Sequence, residues 1–114
     1  MRAKVLFLLI AAILLIILSL PIFFYYKSEA EEREIAIKKC IDACTEAMIS
    51  GIDLTNGPCL LDPIPDLRDW VCDVAHNPRH KEIDDLPENQ CSSFGREAKH
   101  FVEVDITCKF IRAH

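Results

Sequence analysis

The chain opens with one unbroken apolar block and then changes to mixed, periodic patterning. From Val5 to Tyr26 no position carries a charge. As a helix this block would run about 33 Å, against a hydrocarbon core of ~30 Å. It predicts a transmembrane helix in the lipid bilayer over residues 5–26. Beyond it, Ile37, Cys40, Ile41, Cys44 and Met48 recur at helical spacing, with Glu34, Lys38, Lys39, Asp42 and Glu46 on the other face. That stripe predicts an amphipathic helix over residues 27–50. Ser28 followed by Glu31 is a capping-box pattern that marks a fresh helix start, and Gly51 supplies a stop. The first turns lack apolar anchors, so they read as a stalk.

Period-two alternation marks the strands. Trp70, Cys72 and Val74 share one face of a short strand that Asn77-Pro78 ends. Val102, Val104, Ile106, Cys108 and Phe110 alternate with Glu103, Asp105, Thr107 and Lys109, as one long strand or a tight hairpin about Asp105. Pairing of these segments predicts a short antiparallel sheet, packed on the helix through Cys40 and Cys44. Residues 51–69, with Thr55-Asn56-Gly57-Pro58, Pro63 and Pro65, and residues 80–93, with Asp84, Asp85 and Pro87, read as surface loops. The fold class is α+β: an N-terminal transmembrane helix followed by a small disulfide-stapled domain over residues 27–114.

Charge sets orientation. Arg2 and Lys4 alone of the thirteen basic residues precede the apolar block, and all eighteen acidic residues follow it. The positive-inside rule leaves residues 1–4 as a cytoplasmic stub and the C-terminal domain outside the cell. That domain is more acidic than the chain as a whole, at −5, which argues against nucleic acid as a partner. A cleaved signal peptide is the competing reading, with Ser28-Glu29-Ala30 as the cleavage site. The apolar run is longer than a signal h-region, and Phe23-Phe24-Tyr25-Tyr26 resembles an interfacial aromatic belt, so a signal-anchor is preferred. Both readings export the domain.

Six cysteines, Cys40, Cys44, Cys59, Cys72, Cys91 and Cys108, all follow the apolar block. An even count in a small exported domain reads as three disulfides, with fifteen connectivities open. Cys40 and Cys44 lie one helical turn apart, with Cβ atoms about 5–6 Å apart where a disulfide wants about 3.8 Å. They are expected to bond to different partners, and proximity suggests Cys59 for Cys44.

Candidate chemistry is sparse. His76 and His80 have the i, i+4 spacing of paired metal ligands, but Asn77-Pro78 breaks the helix that would align them. Asp73 with His76, and Ser92 or Ser93 as nucleophile, lack the flanking sequence of a hydrolase. Asp73 reads instead as a turn cap and Arg79 as half of a surface ion pair. No phosphate-binding glycine loop is present, and neither a metal nor a cofactor is expected. Phe94 and Phe101 are candidate contact residues, with a core role open for Phe101.

The runs Trp70–Arg79, Leu86–Cys91 and His100–Asp105 resemble segments of small archaeal proteins that also carry an N-terminal hydrophobic segment and a cysteine-bearing exported domain. The resemblance covers residues 40–114. It implies an archaeal cell-surface protein and supplies no activity. The sequence therefore points to a non-enzymatic, membrane-anchored protein that binds a protein partner in the membrane or envelope. The alternative is a thiol-redox or metal-binding enzyme using Cys40/Cys44 or His76/His80.

Overall fold

A computed structural model describes residues 1–114. By its internal contacts the chain divides into two units, Met1–Glu32 and Arg33–His114. Helix α1 covers Arg2–Ile49. Within the first unit its apolar side chains from Val5 to Tyr26, Ala11 excepted, are exposed, and it is the one helix long and apolar enough to cross a membrane. Ser28 starts no new helix. Glu29, Ala30, Glu31 and Glu32 are good helix formers, and Lys27 pairs with Glu31 one turn on at 3.8 Å, so the capping-box pattern is overridden.

The second unit is α+β. Besides the C-terminal part of α1 it holds β1 (Cys59–Leu61), β2 (Trp70–Val74), the short α2 (Lys81–Asp84), β3 (His100–Val104) and β4 (Phe110–Ala113). The four strands form one sheet in the order β1-β2-β3-β4. β1 lies within what reads from sequence as a loop. The expected antiparallel pairing is corrected at its centre: β2 and β3 run parallel, while β1–β2 and β3–β4 are antiparallel. A parallel pair needs a crossover, and residues 75–99 supply it, carrying α2 and a single 3-10 turn at Pro87–Asn89. The hairpin about Asp105 is confirmed. Its carboxylate accepts hydrogen bonds from the Thr107 amide, the Thr107 hydroxyl and the Lys109 amide at 2.7–3.0 Å.

Two apolar clusters flank the sheet. On the inner face Trp70, Cys72, Val74, Val102 and Val104 pack with Ala36, Cys40, Cys44 and Ala47 of α1 and with Ile64 and Leu54. The buried helical stripe is thus rotated from the expected one. Cys40 and Cys44 lie between Ala36 and Ala47 along it, Ile37 and Ile41 pack at its edge, and Met48 is exposed. On the outer face Val71, Cys91 and Ala98 pack with Cys59 and Phe101 beneath the crossover.

Three disulfides tie these layers: Cys40–Cys72, Cys44–Cys108 and Cys59–Cys91. Cys40 and Cys44 take separate partners, as helix geometry requires. Cys59 bonds to Cys91 rather than Cys44, because β1 lies along β2 at the edge of the sheet, where the crossover comes down on its outer face. The Cys44–Cys108 bridge spans 64 residues of sequence, so it removes most entropy from the unfolded chain, about 4 kcal/mol in the loop-closure picture.

Non-reducing peptide mapping should recover only these three pairs. Trypsin leaves Cys40, Cys44 and Cys59 on one peptide, between Lys39 and Arg68, so a second cleavage at Asp42 and Asp53 is needed. Replacing Cys44 and Cys108 together by alanine should lower the unfolding free energy by about 3–5 kcal/mol. A Cys44–Cys59 peptide would overturn the layer assignment.

Candidate polar cavity on the outer sheet face

The register of three adjacent strands builds a row of charge. On the outer face Asp73 of β2 sits beside Glu103 of β3, and Glu103 sits opposite Arg112 of β4. The next pair along is Val71 beside Phe101. The crossover adds Arg79, Gln90, Cys91 and Phe94, and together these residues line a cavity of about 160 Å³.

Two like carboxylates on neighbouring strand positions repel, and the structure resolves this unequally. Glu103, 6% exposed, accepts hydrogen bonds from Arg112 Nε at 2.6 Å, Arg112 Nη2 at 3.2 Å and Arg79 Nη1 at 3.1 Å. Arg79 is itself held by Asp85 through Nε at 3.1 Å and Nη2 at 2.6 Å. The Asp85 hydrogen bond is the main cause of a raised Arg79 pKa, and the Glu103 hydrogen bond is the main cause of a raised Arg112 pKa. Arg112 also lies over the Phe101 ring, 5.0 Å from its centroid, and Phe94 meets that ring edge-on at 5.1 Å.

Asp73 is left over. Its buried Oδ1 has no hydrogen-bond partner. Burial, and then the Glu103 charge, push its carboxyl up to about 7. It caps no turn, contrary to the sequence reading, because it lies within β2 under the crossover. Arg79 does form an ion pair, but with the buried Glu103 as well as with the exposed Asp85.

His76 does not pair with Asp73. Its partner is Asp84, whose side chain is 1% exposed. That carboxylate takes the His76 ring Nδ1 at 2.8 Å, the His76 amide at 3.2 Å and the His80 amide at 2.8 Å. Burial pushes Asp84 up, but hydrogen bonds from the His76 ring and from the His80 and His76 amides more than offset it, so its carboxyl stays below the ordinary value. The turn at Asn77-Pro78 brings the His76 and His80 rings to 5.0 Å without a helix. Asp84 also explains Gly57: a Cβ there would meet Val74 O at 2.8 Å and Asp84 Oδ1 at 3.1 Å, at φ +66°.

The remaining expected groups are spent locally. Ser92 Oγ and the Ser93 amide both donate to Asp62, so neither joins His76. Asp62 lies near Cys59 and Cys91, but those sulfurs share a disulfide and are not thiolates. Cys40 and Cys44 are likewise bonded, and no cysteine is free. Neither Gln90 nor Glu103 stands out in the sequence as a site residue. Among the strand residues, the signal that finds Glu103 is the alternation that places it, with Asp73 and Phe101, on the face away from the helix.

Compared with known protein families, curated proteins and solved structures, the chain has no match.

The Asp73 carboxyl yields a stability signature. Between its ordinary value of 3.8 and about 7, the folded chain keeps a proton that the unfolded chain has lost. This group therefore makes stability fall as pH rises through that window. Asp84 acts oppositely, its contribution being lost as pH falls through its depressed value. In denaturant unfolding followed by Trp70, the chain's only tryptophan, Asp73→Asn should match the parent at pH 4. At pH 8 it should exceed the parent by roughly 2–4 kcal/mol. A difference independent of pH would contradict the assignment of Asp73 as the strained acid.

Proposed function

We propose that this is a membrane-anchored, extracytoplasmic protein that binds a protein partner without catalysing a reaction, as an accessory subunit of a cell-envelope assembly. Residues 5–26 hold it in the bilayer, and Arg2 and Lys4 keep residues 1–4 in the cytoplasm. The resemblance over residues 40–114 adds an archaeal cell surface to this reading.

The observation that carries it is the outer-face cavity. A polar floor with one unmatched carboxyl sits beside an aromatic wall whose Phe94 is 46% exposed. A small concave site with few convergent polar groups and a perturbed acid is the usual form of a binding site, and an exposed aromatic beside it is a common anchor of protein interfaces. The Cys59–Cys91 bridge fixes one wall, so the site is preorganised and binding immobilises little chain.

The test is photocrosslinking in native membranes. A photoreactive phenylalanine analogue at position 94 should give a light-dependent adduct larger than the monomer, while the same probe at exposed Asp42 on α1 should not. Recovery of the monomer alone from position 94 would sink the partner-binding reading.

A further inference from the structure

We infer that the outer-face cavity receives a primary ammonium group on an apolar stem, the end of a lysine side chain presented by the partner, with Asp73 as its counter-ion. This rests on the partner-binding reading above and names the chemistry of the contact.

The argument begins from what is already matched. Glu103 has two arginines, and Arg79 is shared between Glu103 and Asp85. These guanidiniums are occupied, so an anion entering the cavity would find them spent and would face Asp73 and Glu103. The unmatched group is Asp73 Oδ1, buried and without a donor. Leaving a buried acceptor unpaired is destabilising, and a hydrogen-bond donor restores that. A donor that also carries positive charge gains more, since charge-assisted hydrogen bonds are roughly twice as strong as neutral ones.

Size and lining select the rest of the ligand. A cavity near 150 Å³ holds about one six-membered carbon ring, so about 160 Å³ accommodates a four-carbon stem and its nitrogen. Val71, Phe94 and Phe101 offer apolar surface to the stem, and an ammonium beside an aromatic face is favourable. A guanidinium's planar fork takes both oxygens of one carboxylate, and Glu103 is already taken in that way by Arg112.

Asp73 must be ionised to act, which links binding to pH. The groups around it are Glu103 on β3, Arg79 and Asp84 on the crossover and Arg112 on β4, while β1 places the neutral Cys59 opposite it. Burial and Glu103 hold Asp73 near 7. A bound ammonium favours the ionised form, so binding strengthens as pH rises and lowers the Asp73 pKa in return.

The probe is n-butylammonium, titrated into the full chain in zwitterionic detergent micelles, with the Asp73 side-chain carboxyl followed by carbon-13 NMR. Saturating butylammonium should move the Asp73 midpoint down by about one unit, and affinity at pH 8 should accordingly exceed that at pH 5.5 by about 7-fold. n-Butanol, the neutral counterpart, should leave the midpoint in place. Asp73→Asn should lose the pH dependence and at least 10-fold of the affinity at pH 8. An unmoved midpoint, or equal binding of butanol, overturns the inference, and the wild-type titration decides this even if the variant does not fold. Two further probes separate the sources. Nα-acetyl-lysine methylamide binding as well as butylammonium supports a partner's lysine, whereas its exclusion while butylammonium binds overturns that source in favour of a small free amine. A position-94 adduct without any amine effect would leave partner binding intact and reject the ammonium.

Discussion

The covalent tie between α1 and the centre of the sheet is the constraint on which the second unit depends. Cys40 and Cys72 are both fully buried, and their bond fixes the helix against the inner face at the middle of the core. Small residues make that approach feasible, since Ala36 and Ala47 flank the bonded cysteines on the buried stripe. A domain of this size buries too little apolar surface to offset chain entropy comfortably. Cross-linking of the unfolded chain supplies what the core lacks. The second bridge then holds the β3–β4 turn to the same helix, and the third holds the crossover to β1. The outer-face cavity is a consequence: its wall stays in place because Cys91 is anchored.

Against that economy, the outer face spends stability on charge. Paired carboxylates on adjacent parallel strands are unfavourable, and a hydrophobic pair at Asp73 and Glu103 would pack more simply. The structure instead recruits two arginines for one acid and leaves the other unmatched. Local rules tend to be broken at functional sites and kept elsewhere. This is the one place in the second unit where a buried side-chain polar atom lacks a partner.

Much of the architecture was legible in the sequence, and the failures have definable causes. The apolar block follows from its uncharged length. The amphipathic segment about Cys40 and Cys44 and the strands at Trp70 and Val102 follow from periodicity, which leaves open whether the last segment is one long strand or turns at Asp105. Strand direction does not, because alternation is identical whichever way a strand runs; the parallel β2–β3 pair emerges only with the crossover. The helical stripe reads from sequence as Ile37, Cys40, Ile41, Cys44 and Met48, whereas the buried one keeps the two cysteines and adds Ala36 and Ala47, small residues that carry little signal. Asp73 reads from sequence as a turn cap, and only the crossover makes its face of β2 an interior. Asp84 was concealed in the same way, in a polar stretch whose one buried carboxylate organises the His76 turn. The charged row across β2, β3 and β4 is a product of register, which the sequence does not print.

The interleaved cysteine order also bears on how such a chain is made. Emerging N-terminus first, it presents Cys40 and Cys44 together before any native partner exists. Their place one turn apart on a helix keeps them from closing on each other. The next cysteine to appear, Cys59, is partner to neither. Cys44 requires Cys108, 64 residues further on. The set of bonds therefore closes only after Cys108 has emerged, and a chain cut short before it is left with an unpaired thiol by which a cell could recognise it.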